Sequence, residues 1–164
     1  LLSLDVINNL KTFKTNKKGL KFVFFSSEEG PKCCTGSSQY PAKGVSVAII
    51  LDALYPNRVV FSATPDLWDL AVNFRLKRIE MPTQYSDNVN FIKQEIPSVV
   101  LYNDDLIPYY HSDKDLPTPE DISYVNELTL GLINMIKSLD ITKRDDLDKK
   151  LKVFGFSERK ITLV

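Results

Sequence analysis

The order of the sequence patterns predicts an α/β layered sandwich built on a mostly parallel or mixed sheet. Three observations carry this. Short runs of β-favouring residues alternate with segments of helical period. Two of those runs, LKFVFFSS and VSVAIILDAL, are nearly continuously apolar, which suits strands covered on both faces. Thr-Pro pairs stand directly ahead of two helical segments, where a cap and a first-turn proline belong.

Taken in order, residues 1–13 place Leu2, Val6, Leu10 and Phe13 at three- and four-residue steps, a helical pattern. No capping residue precedes it, so the chain is expected to begin inside an element, as a fragment or processed product does. A missing leader pattern then says nothing of compartment. TNKKG is a polar turn, and residues 20–27 (LKFVFFSS) read as the first strand. Strands follow in VSVAIILDAL from Val45 and, after the turn YPN, in RVVFSA. Thr64-Pro65 opens a helix over DLWDLAVNFRL. Beyond a loop with Pro82, residues 88–94 read as a shorter helix, and SVVLYN as the next strand. The loop DDLIPYYHSDKDLP runs to Thr118, where a second Thr-Pro opens a long helix. Its apolar face is Ile122, Val125, Leu128, Leu132, Ile133, Ile136 and Leu139. Residues 141–164 are charge-rich and are read as a tail that packs on its own domain, residues 1–140, or forms an oligomer contact.

A chain of 164 residues that is 43% hydrophobic has the length and apolar content for one domain with its own core. Lys+Arg and Asp+Glu both number 21, which argues against a nucleic-acid or anionic-membrane partner. No apolar run approaches the roughly 18 residues of a membrane span. The two cysteines, Cys33 and Cys34, are neighbours and cannot cross-link distant elements. They are also too few for a Cys-rich zinc site, and they read first as small half-buried loop residues.

In α/β sheets, ligands gather at the carboxyl ends of strands. Glu28 and Glu29 follow the first expected strand, Asp52 ends the second, and His111, the only histidine, lies in the loop after SVVLYN. Carboxylate oxygen and imidazole nitrogen are donors for borderline divalent metals, so Glu29, Asp52 and His111 form a candidate ligand set. A solvated loop tip and an ordinary surface histidine are the alternatives.

The order of these motifs resembles the di-zinc exopeptidase family that includes bacterial leucyl aminopeptidase, aminopeptidase Y and glutamate carboxypeptidase, over its carboxyl-terminal part. The matching pieces are KFVFFSSEEG, Gly36-Ser37 with Tyr40, VAIILD, SDNVNF, EIPSVVLY and YHSDKD, followed by the long helix. The resemblance implies a three-layer α/β/α sandwich whose amino-terminal part lies upstream. It implies Glu28 as general base, Glu29 and His111 as ligands of one zinc and Asp52 as ligand of the other. Asp115 would hold the loop around His111. Two zinc ions and a peptide substrate follow from the same resemblance, with zinc-dependent aminopeptidase activity as the leading expectation. The family also needs a His-x-Asp pair and a bridging Asp, for which this sequence has no match. A non-catalytic peptidase-like binding or assembly module without metals is therefore the alternative, and single-zinc glutaminyl cyclase-like chemistry a third. Departures include GPKCCTGSS in place of Gly-Leu-x-Gly-Ser, DALY in place of Asp-Met-Ile-Gly, and Asn88 where a histidine often stands.

Overall fold

A computed structural model of the protein describes Asn8 and residues 17–29, 33–80, 83, 85–105, 107–143 and 145–147. The expected first helix and most of the charged tail lie outside those residues. Strand β4 (Ser98–Asn103), rich in Val, Leu and Tyr, sits inside the sheet. It pairs in parallel with β1 (Ala48–Leu51) and antiparallel with β2 (Val59–Ala63). A short β3 (Lys77–Ile79) pairs in parallel with β2 and completes the order β1-β4-β2-β3. The protein is thus an α/β protein with a four-stranded mixed, mostly parallel sheet.

Because side chains alternate along a strand, β4 serves two cores. Val99 and Leu101 join Val59, Phe61 and Ala63 of β2 against Leu128, Leu132, Met135, Ile136 and Leu139 of the long helix α3 (Pro119–Ile141). On the opposite face, Val100 joins Ala48 and Ile50 of β1 with Phe91 and Ile96. Phe91 belongs to the short helix α2 (Asn88–Ile92). Each such side chain contributes about 1.5–3 kcal/mol of burial. The central strands β4 and β2 are therefore packed on both faces, whereas of the two runs expected to be covered on both faces only VSVAIILDAL forms a strand, β1, at the end of the sheet order.

Helix α3 starts where expected. Thr118 accepts from the Asp121 N–H, Asp121 accepts from the Thr118 N–H, and Pro119 occupies the first turn. Leu128, Leu132, Ile136 and Leu139 are buried and Val125 and Ile133 partly so, but Ile122 lies 51% exposed beyond the end of the core.

Three expectations require correction. Residues 20–27 form no strand. A strand needs a neighbour about 4.8 Å away, whereas a cavity of about 910 Å³ is lined by residues of this segment and by β1. Phe25 alone of its aromatics is anchored, against Tyr40 and Phe91, and Phe24 is 74% exposed. The segment after Thr64 is a 3-10 helix, Pro65–Asn73, and Thr64 does not cap it. The Thr64 hydroxyl instead accepts the Ser98 N–H at 3.1 Å, which fastens the turn to the start of β4. Finally, β3 has no counterpart in the sequence reading. Its three residues, two of them basic and exposed, suit an edge strand and carry no apolar alternation. No helix among the described residues is long and apolar enough to cross a membrane.

Candidate catalytic and metal-binding site

Glu28 and Glu29 stand where the extended segment turns back on itself, just after Ser27, whose φ of 58° is left-handed. The turn is fixed by backbone bonds, Cys34 N–H to the Glu28 carbonyl at 3.0 Å and Thr35 N–H to the Ser27 carbonyl at 3.1 Å. Helix α1 (Thr35–Ser38) packs so tightly here that a Cβ on Gly36 would run into the Ser26 carbonyl oxygen. From α2, the Asn90 side-chain amide donates to the Cys34 carbonyl at 2.9 Å and to Ser37 Oγ at 2.8 Å. The glutamate pair is held by the second core, through these contacts, without being part of the sheet.

Asp52 follows β1 directly, and its N–H extends the ladder to the Leu101 carbonyl at 2.9 Å. His111 comes from the loop after β4 and also adopts a left-handed backbone, φ 59°. Its ring stacks on Tyr110 at 3.8 Å. The loop is tied back by Tyr55, whose hydroxyl donates to Asp115 Oδ2 at 2.5 Å. Burial and the Asp115 carboxylate together push the Tyr55 hydroxyl well above its usual range, so it stays a donor.

These loops meet. His111 Nε2 lies 2.7 Å from Glu29 Oε1, although one residue follows β4 and the other ends the extended segment of residues 17–29. Glu28 is pushed from the usual 4.5 up to about 7, first by burial and then by the charges of Asp52, Glu29 and Asp87. Burial also raises Asp52, with Asp87 and Glu29 adding to it, while the Ser86 hydroxyl and His111 work in the opposite direction. Tyr110 is raised by burial and by Glu29, Asp52 and Glu28. Four carboxylates thus crowd one end of the cavity, whose lining includes Glu28, Glu29, Asp52 and Asp87.

Asp87, in the SDNVNF stretch, lies outside the expected ligand set. It is 8% exposed, and among the described residues its Oδ1 is buried without a hydrogen-bond partner. An orphaned buried carboxylate oxygen next to other carboxylates is compatible with a divalent cation, for which carboxylate oxygen and imidazole nitrogen are donors. Of the expected ligands, Glu29 and His111 are in contact. Asp52 stands apart from that pair. Among the described residues, the one trio of metal-ligating side chains with donor atoms all within 4.8 Å is Glu28, Cys33 and Cys34.

The two cysteines lie in a turn, Cys33 half-buried and Cys34 buried, as expected of small loop residues, and they are joined in a vicinal disulfide. Neighbouring positions permit that pairing, but no sequence pattern reveals whether it forms. Compared with protein-family models, curated proteins and solved structures, the chain has no match.

Proposed function

We propose that the protein is a zinc-dependent exopeptidase, an aminopeptidase, built on a three-layer α/β/α sandwich of the zinc-exopeptidase kind. The observation that supports this reading is the 2.7 Å contact of His111 Nε2 with Glu29 Oε1, with Glu28 and Asp52 alongside. Glu29 and His111 would hold one zinc and Asp52 the other. Bound zinc lowers the pKa of a water and polarises a carbonyl.

The rest falls to this chain's own groups. Glu28 takes a proton from the attacking water and returns it to the leaving amine. A carboxyl near 7 can do both at neutral pH. Asp115 and Tyr55 hold the His111 loop in place. The Asp87 carboxylate, which is given no zinc here, suits the ammonium of a free peptide amino terminus. The neighbouring walls, which include Phe25, Tyr40 and Phe91, suit an apolar side chain.

The test is hydrolysis of aminoacyl 4-nitroanilides by the purified natural protein, with zinc measured in the same samples. Glu28→Gln is expected to lower kcat by about 10²–10⁴-fold while zinc content stays the same. Unchanged turnover would remove the base assignment. A natural protein with neither zinc nor hydrolysis would replace this reading with the non-catalytic binding module.

A further inference from the structure

The proposed hydrolysis makes no use of Cys33 and Cys34, yet both are aimed at its base. The two sulfurs lie 3.6 Å from the same atom, Glu28 Oε1. Cys34 is 2% exposed, and Cys33 is half-buried. The pair is not presented by a loose loop. The Cys34 N–H is bonded to the Glu28 carbonyl, the Cys34 carbonyl accepts from Asn90, and Gly36 packs directly on Ser26. The sulfurs are joined by the disulfide, and the backbone contacts of the turn set the Glu28 carboxylate beside them, so that two sulfurs and a carboxylate oxygen lie within 4.8 Å of one another.

We propose that Cys33 and Cys34, in their dithiol form, bind one soft divalent cation with Glu28 as the oxygen donor. Thiolates select zinc-group ions over the hard cations that carboxylates alone prefer. This donor set is therefore chemically distinct from Glu29, Asp52 and His111. The disulfide closes the site, because its sulfurs carry no thiolate. An external dithiol opens it by exchange. One thiolate of the reductant attacks a cysteine sulfur and the S–S bond breaks. The second reductant thiol then displaces the first cysteine, leaving two protein thiols and an oxidised reductant. Two electrons and two protons pass to the protein, and the incoming cation displaces the thiol protons. Occupancy is thus conditional on redox state. If the peptidase reading holds, a bound ion also takes the carboxylate that hydrolysis needs.

The experiment is a Cd²⁺ titration of the full chain, reduced with a dithiol and desalted without oxygen. The expected result is a sulfur-to-cadmium charge-transfer absorption that saturates at about one ion per chain. It should be absent from the unreduced protein and from Cys33→Ser/Cys34→Ser. It should persist in Glu29→Gln/His111→Ala, which separates this site from the proposed zinc centre. Glu28→Gln should bind about tenfold more weakly or worse, since even indirect partners of a metal cost that much. No absorption in the reduced chain would overturn the site. Equal affinity in Glu28→Gln would overturn the part given to the carboxylate. Cation binding by Cys33, Cys34 and Glu28 requires no step of the hydrolysis, so it stands or fails whatever the outcome of the peptidase assay.

Discussion

Glu28 shows how much of a residue's chemistry is decided by what surrounds it. Its carboxyl is raised to about 7 because burial and neighbouring carboxylates disfavour the charge. In the unfolded chain the group ionises near 4.5; in the fold it keeps its proton until about 7. Between those values the folded state binds more protons, so stability falls as pH rises. The contribution is fully present below about 4.5 and lost above about 7. Glu28→Gln removes it. The difference in melting temperature between wild type and variant, measured with a chelator present, should shift against the wild type from pH 4.5 to 7 and then level off. Parallel curves would mean that the shift is absent. The sequence singles out Glu28, Glu29 and Asp52 because they follow β-favouring runs, and His111 because it is the one histidine; the structure brings Glu29 and His111 into contact. Asp87 is not singled out there, since its burial and its unpartnered Oδ1 appear only in the fold. The cysteine pair lies in a turn and is half-buried to buried, as its sequence suggests, but adjacency does not show the carboxylate lying over both sulfurs.

Elements were legible where local and tertiary preferences agree. In α3, the Thr118–Asp121 box, the proline and the apolar period all point the same way. Likewise β2 and β4 are β-branched runs buried on both faces. Residues 20–27 have a similar composition but, among the described residues, pair with no strand, and composition cannot show that. Thr64 illustrates a second kind of miss, a good capping residue whose hydroxyl is claimed by Ser98. Gly131 in α3 sets two preferences against each other. Replacing it with alanine should favour a helix by about 1 kcal/mol. Yet the new Cβ would meet the Phe74 ring and lie 2.8 Å from the Asn73 carbonyl oxygen, which is backbone and cannot easily move. Overpacking of that kind costs about 1–3 kcal/mol. Gly131→Ala should therefore lose about 1 kcal/mol net in urea denaturation. A gain in stability would show that the end of the 3-10 helix yields.

On the scale of the whole molecule, the segment carrying the glutamates is joined to the rest at two ends. Near Glu28 the join is the turn with α1. At the other end it is a single carboxylate, Asp140, which is 4% exposed in the last turn of α3. Its Oδ1 accepts the N–H groups of Lys17 and Lys18 at 3.0 and 2.9 Å. In return, Lys18 Nζ donates to the carbonyls of Leu139, Asp140 and Thr142, the end of a helix with no basic residue of its own in the last turn. A cation there complements the helix dipole and satisfies its terminal carbonyls. Neither partner is near the other in sequence, so no pattern in the chain announces the clamp. Asp140→Ala should cost about 2 kcal/mol, because two amides lose their acceptor. Asp140→Asn keeps an acceptor oxygen and should cost less. The location of the loss is the sharper measurement. Residues 17–25 wall the cavity and make no strand pairing, so they can open without the sheet. Amide exchange in Asp140→Ala should accelerate in those residues and at the end of α3, while β2 and β4 keep their protection. Equal acceleration in β4 would instead make the clamp part of the global fold, and the glutamate segment would then be as stable as the sheet it flanks.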